Sequence, residues 1–244
     1  MKKISLLLLA TLFLASCVYN KEIKDTTDVQ MPEPIMPSEK YNVAFVIVNG
    51  VYNSELVAPL DILHHTIFHT KKGMRVFTVA PDTTLITSFE GLRIQPDFSF
   101  ASIDLPEIDV LVVPSAENSM GTDLENDTLI NFVKEKGTNA KYVMSLCDGA
   151  FVLAKAGLVE GKESTTFPSD IDAYAKKFPQ LKVHKGVSFV HDGKLITSVG
   201  GAKSYDPALY LSELLYGKRA AEGLARGLVI DWDINSIDFI RVEH

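Results

Sequence analysis

The chain is poor in cysteine and tryptophan: its 244 residues hold two of the first and one of the second. Two thiols exclude a disulfide framework and the paired-cysteine spacings of structural zinc sites. An excess of positive charge is also missing. Lys and Arg number 24 against 31 Asp and Glu, a formal charge of −7, which argues against a nucleic-acid partner because that role needs a basic face. Nor is there an apolar run of the roughly 20 residues that span a bilayer, an internal repeat or a low-complexity block.

What stands at the N-terminus accounts for one of the two thiols. Lys2 and Lys3 precede an apolar run from Ile4 to Ala15, which ends in Leu14-Ala15-Ser16-Cys17. A short basic start, about a dozen apolar residues and a small-residue end read as an export signal over residues 1–16. Leu-Ala-Ser-Cys resembles a bacterial lipobox, which implies cleavage before Cys17, a lipid on its thiol and a cell-envelope location. Residues 17–40 are polar, then proline-bearing around Met31-Pro32-Glu33-Pro34, and are expected to form a flexible tether. Residues 41–244 suit one domain with a full core.

Along that domain, strand and helix signals alternate. Val43–Val48, Arg75–Ala80, Asp109–Pro114 and Tyr142–Leu146 are short continuous apolar runs, as expected of strands covered on both faces. Helices are expected at about 54–70, with Ser54 as cap, at about 123–136, from Cys147 onward, and from Asp206-Pro207 to Gly217. Glu90-Gly91 marks an early hairpin and His191-Asp192-Gly193 a small late one. The alternation predicts an α/β fold with a doubly wound, mostly parallel, flavodoxin-like sheet.

In such a sheet ligands bind beyond the carboxyl ends of the strands. Cys147 sits there, at a strand-to-helix turn where the free N–H groups of the next helix are expected to favour thiolate. Glu55 follows the first strand and Ser115-Ala116 follow the Asp109–Pro114 strand. Glu55 is either an acid placed for the helix dipole or a proton carrier that hydrogen-bonds the thiol. Gly200-Gly201 reads as a tight turn beside the site, with anion binding at the following helix as a weaker option. With Cys17 removed to the membrane, Cys147 is the single thiol of an exported domain, and an unpaired thiol there is a candidate reactive group.

Three histidines, His64, His65 and His69, share one helix, but no glutamate completes a metal signature and no metal or other cofactor is expected. His184 and His191 lie near the late strands without a sequence cue to their direction, and Trp232 reads as a packing residue.

The segments Glu55–Leu63, Asp109–Pro114, Ser145–Ala150 with Ala156–Gly161, and Ile196–Gly201 resemble the ThiJ/PfpI family of the class I glutamine amidotransferase-like superfamily. The similarity covers about 42–217 and is greatest to isonitrile hydratases and to the amidotransferase-like domains of AraC-type regulators. It implies a Cys147 nucleophile with Glu55 and Asp148 beside it, substrate or oxyanion contacts at Ser115, Ala116, Gly149, Gly200 and Gly201, a small-molecule substrate, and a homodimer. The chain departs from the family at Ser115-Ala116, where Gly-Gly is usual, at Asp148, where the peptidase branch has His, and at Phe167-Pro168, where the regulators have His-Trp. These departures disfavour proteolysis. They leave a cysteine enzyme acting on a small electrophile such as an isonitrile, or a non-catalytic ligand-binding or redox-sensing domain.

Overall fold

Strands of Val, Ile, Leu and Phe without polar alternation can be stable only under two layers of helix, and that is their setting in the computed structural model, which describes residues 29–243. The first half contains β1 (Asn42–Val46), α1 (Asn53–His69), β2 (Arg75–Ala80), β3 (Ile86–Thr87), β4 (Arg93–Ile94), β5 (Phe98–Ser99), β6 (Val110–Val113) and α2 (Asp127–Asn139). The second half runs through β7 (Tyr142–Leu146), α3 (Gly149–Lys155), β8 (Glu163–Ser164), α4 (Ile171–Lys177), β9 (Lys182–Val183), β10 (Phe189–Asp192) and β11 (Leu195–Ser198). It closes with α5 (Tyr205–Tyr216), α6 (Lys218–Gly227) and β12 (Phe239–Val242).

The main sheet has the order β12-β10-β11-β7-β6-β1-β2-β5. Every neighbouring pair is parallel except β10 with β11. The fold is therefore the α/β, mostly parallel, flavodoxin-like one expected. The chain leaves β1 toward β2 and returns to the other side through β6 and β7, so strand order reverses between β1 and β6. A crevice opens at such a reversal, at the carboxyl ends of the strands. One apolar cluster packs α1, α5 and α6 on one face through residues such as Ile62, Leu211 and Leu224. A second packs α2 and α3 on the other through Phe132, Val133 and Phe151. Each fully buried Phe or Leu contributes about 2–3 kcal/mol.

Several local expectations are corrected. The helix expected from Asp123 splits into a 3-10 turn, Thr122–Glu125, and α2, because Asn126 caps α2 by accepting from Leu129 N–H at 3.2 Å. Asp206 does not cap α5, which begins at Tyr205; its carboxylate instead accepts from Ser188 Oγ at 2.6 Å. The expected late hairpin, β10–β11, is present and belongs to the main sheet, where β12 extends it beside β10.

Residues 29–36, expected to belong to the tether, instead pack on the domain. Ile35 N–H donates to Leu214 O at 3.2 Å and Met36 N–H to Leu215 O at 2.8 Å, while Val29 and Met31 pack on the core. Residues 29–36 thus form a strap over the ends of α5 and α6. The expected export signal (1–16) and Cys17 lie outside the described residues. No helix among the described residues is long and apolar enough to cross a membrane.

Candidate active site

Cys147 is the residue at which β7 stops being a strand. Its N–H still donates to Ser198 O at 2.9 Å, continuing the pairing with β11. Its own φ is +54°, left-handed backbone that costs a non-glycine residue about 1–2 kcal/mol. That turn swings the thiol off the sheet and starts α3 under it. The start is possible because residue 149 is glycine: a Cβ there would lie 2.1 Å from Val113 O of β6. Thr166 clamps the turn, its Oγ1 within 3.1 Å of Cys147 O and 2.9 Å of Asp148 Oδ1, with one hydroxyl proton to share between them.

The sequence-predicted partners converge here. Glu55, 4% exposed in the first turn of α1, accepts from Gly201 N–H at 2.9 Å through Oε1 and from Ser54 Oγ at 2.8 Å through Oε2. Ser54 therefore holds the glutamate and does not cap the helix, whose cap residue is Tyr52. Gly200, at φ +76°, approaches so closely that a Cβ would fall 2.4 Å from Cys147 Cβ. The two glycines thus serve as a close-packed wall behind the thiol and a dock for Glu55. Gly201 N–H is engaged by the glutamate rather than directed at a ligand, and Gly149 is occupied in packing on β6. Of the other expected anion contacts, Ala116 N–H donates to buried Ser119 Oγ at 2.8 Å. Ser115 is different. It is fully buried and its Oγ has no properly oriented hydrogen-bond partner, yet it lies close enough to Cys147 to pull the thiol's pKa down.

That pull is outweighed, so the thiolate expected from the helix end is not the resting state. Burial pushes the Cys147 thiol up to about 12, and the Asp148 and Glu55 carboxylates push the same way. Ser115 and the Asp148 backbone N–H oppose them. A rise of this size from 9.0 amounts to about 4 kcal/mol, whereas a helix end supplies about 0.3–1 kcal/mol. With only 7% of Cys147 exposed, desolvation wins. Of the two roles open to Glu55 in the sequence, a direct hydrogen bond to the thiol is not formed; its oxygens accept from Ser54 and Gly201.

Asp148 is pushed up to about 6, first by burial and then by the neighbouring Asp170, with Thr166 opposing. Because its folded-state value exceeds the roughly 3.9 of an unfolded aspartate, its contribution to stability is complete below about pH 4 and is lost as pH rises through 6. Asp148→Asn is therefore expected to stabilise the fold at pH 8, by about 1 kcal/mol after solvent screening of a half-buried group. Near pH 4 the two proteins should match. Urea titrations at the two pH values would detect this, and equal gains at both would exclude the assignment.

The structure adds residues that sequence reasoning missed. Tyr52 caps α1 at the cleft, and its phenol is pushed up by burial and then by Cys147, Glu117, Asp148 and Glu55. It stays protonated and can donate a hydrogen bond to a ligand. Phe89, 54% exposed, packs on Tyr52 with ring centroids 4.8 Å apart, and Phe167, 38% exposed, follows Thr166. No sequence cue marks Tyr52, because its role depends on a tertiary neighbourhood.

The histidines are accounted for elsewhere. His184 Nε2 lies 2.6 Å from Glu163 Oε2. His191 is buried between Tyr210 Oη at 2.7 Å and Gly193 O at 2.8 Å, and burial lowers its pKa. Among the described residues no group of His, Cys, Asp or Glu is placed to hold a metal ion.

A profile of the DJ-1/PfpI family matches residues 41–214. Isonitrile hydratase of Pseudomonas putida is 31% identical over 181 residues, 74% of this chain and 74% of that protein. Protein dj-1beta of Drosophila melanogaster is 29% identical over 193 residues, 77% of this chain and 96% of that one. Its crystal structure aligns with a TM-score of 0.69 at 23% identity, over 79% of this chain and 100% of that chain. An AraC family transcriptional regulator from Pseudomonas putida aligns with a TM-score of 0.68 at 21% identity, over 77% of this chain and 99% of that chain. At those identities the two structures speak for the fold.

Proposed function

Because the chain belongs to the DJ-1/PfpI family, we propose that it is a cysteine-dependent enzyme that hydrates a small electrophile of the isonitrile class. The observation that carries the reading is the Cys147 thiol, held at a left-handed turn between the Glu55 and Asp148 carboxylates. The isonitrile relative supports the substrate class. So does access: a thiol only 7% exposed, with the Tyr52 phenol within its electrostatic reach, suits a slim, linear, weakly polar head group.

The raised thiol pKa sets the order of events. The S–H bond breaks as sulfur bonds the terminal isonitrile carbon, and Glu55 relays that proton to the same carbon, giving a thioimidate. Water then adds to this carbon, with Glu55 taking its proton and passing it to nitrogen. The C–S bond breaks, sulfur regains a proton from the new hydroxyl, and an N-substituted formamide leaves. The sum is one isonitrile plus one water. Tyr52, which stays protonated, would hydrogen-bond the nitrogen as charge develops.

Formamide release from an alkyl isonitrile panel, followed by NMR, tests this. Glu55→Gln keeps the Gly201 bond and should lower kcat by about 100- to 10,000-fold. No formamide from the wild type, or an unchanged Glu55→Gln rate, would sink the reading. A second reading, ligand binding without turnover, is favoured by the Ala116 N–H, which Ser119 already occupies; saturable isonitrile binding with no product would select it. Redox sensing is weaker, because peroxide attacks thiolate and this thiol is held protonated. We place the enzyme at the cell envelope through a lipid on Cys17, supported by Leu14-Ala15-Ser16-Cys17.

A further inference from the structure

At the end of the domain away from Cys147, the surface joins exposed apolar and basic side chains. Phe68 is 73% exposed at the end of α1 and Met36 is 65% exposed on the strap. Around them stand exposed Lys71, Lys72, Arg219 and Arg226, none ion-paired with a described carboxylate. The patch is continuous: one shallow groove holds Met36, Lys71 and Lys72, another holds Phe68, Arg219 and Arg226, and His69 and Tyr216 line both. Tyr216 Oη donates to Lys72 O at 3.0 Å, and His69 lies against Gly223 of α6, so the segments are held together. In a chain of net charge −7 this concentration of cations is local. Acids border it too: Glu33 in a neighbouring groove with Lys218, Glu222 and Asp231 in the groove with Arg226, and Glu39 in the groove that Met36 shares with Lys40.

Two further observations say what covers this face. The strap delivers the chain's N-terminal side to it. Pro34 packs at Gly217, and Val29 N–H donates to Asn235 Oδ1 at 2.6 Å beside the same end of α6. From Val29 back to Cys17 there are about 12 residues, at most about 40 Å of extended chain. An anchor at Cys17 would therefore keep this end of the domain within about 40 Å of the bilayer. Charge complementarity is the other: lysines and arginines around an exposed aromatic match a surface of anionic headgroups with acyl chains beneath.

We propose that this face docks on an anionic phospholipid surface, Phe68 and Met36 entering the headgroup layer while Lys71, Lys72, Arg219 and Arg226 meet the phosphates. α1 then fixes the orientation of the enzyme. From Glu55 to Phe68 it rises about 20 Å, so the Cys147 cleft opens away from the membrane, toward solutes in the aqueous compartment. The inference draws on the anchor at Cys17 and not on the isonitrile chemistry, so the two readings can fail separately.

Hydrogen exchange of the full-length protein, mixed with phosphatidylglycerol-containing vesicles or with phosphatidylcholine vesicles alone, tests the docking. On the anionic vesicles, backbone amides at 66–75 and 216–228 should exchange several-fold more slowly, and amides around Cys147 should not change. Half-molar salt should remove the difference. Each basic residue at the surface contributes about five-fold to binding, so Lys71→Glu with Arg219→Glu should abolish the protection while leaving formamide production intact. Equal exchange on the two vesicle types overturns the proposal, whether or not Cys17 carries a lipid. Protection of the same amides without vesicles, rising with protein concentration, also overturns it and assigns the face to a second copy.

Discussion

Replacing Cys147 by serine is expected to lower isonitrile turnover by about a thousand-fold or more, with the fold and substrate binding kept. The hydroxyl fits the space of the thiol, and the left-handed turn, the Asp148 N–H and the Ser115 neighbour all remain. What disappears is the soft, polarizable sulfur. An alcohol is a poorer nucleophile and harder to deprotonate, and the site offers no histidine to activate it. His184 is tied to Glu163, and His191 is buried against Tyr210 on the β10 side of the sheet. The measurement is kcat for formamide release beside a urea titration. Retention of more than a tenth of wild-type kcat would mean that sulfur does not bond the substrate. A large loss of stability with the loss of activity would instead mean that Cys147 is held for packing.

Gly149→Ala is expected to cost about 3 kcal/mol or more, the largest stability effect foreseen for one added methyl group. Its Cβ would lie 2.1 Å from Val113 O and 3.1 Å from Val113 C, both backbone atoms of a buried strand that cannot step aside. Relief requires α3 to lift from β6, which breaks the packing of Phe151 and Val152 and moves the thiol. Activity should fall with stability, because the elbow and the helix shift as one piece. Gly227→Ala makes the contrast. It ends α6 with nothing within 4 Å of the new methyl and no positive φ, so it should gain up to about 1 kcal/mol from reduced freedom of the unfolded chain. Urea midpoints for the pair separate steric from conformational cost. A Gly149→Ala protein as stable as wild type would show that α3 does not rest on β6.

Much of the site was legible because strand ends announce themselves. Apolar runs that stop at Pro114-Ser115, at Leu146-Cys147 and before Glu55 place those residues at one edge of any parallel sheet. Other parts needed distances. Gly201 looked like a ligand contact and serves Glu55. Ser54 looked like a cap and holds the same carboxylate. Ala116 N–H looked free and is bonded to Ser119. In each case a hydrogen bond could form with several partners, and local sequence does not rank them. The strap shows the same limit from the other side. Its prolines and polar residues read as a flexible tether, and nothing in them announced that its N–H groups would find the carbonyls of Leu214 and Leu215.

By itself the sequence determined the layered α/β fold, its membership of the DJ-1/PfpI family, and the meeting of Cys147, Glu55 and Asp148 at one cleft. The fold and the nearness of Cys147 and Glu55 follow from residue period and chain order, both local properties, while the family and the place of Asp148 come from resemblance. Only the tertiary structure decided the thiol's protonation, which bonds hold the carboxylates, and where the basic patch stands relative to the cleft. Those depend on desolvation and on distances between segments far apart in the chain. A helix start next to Cys147 promised a thiolate; burying it beside two carboxylates outweighs that promise by several kilocalories per mole.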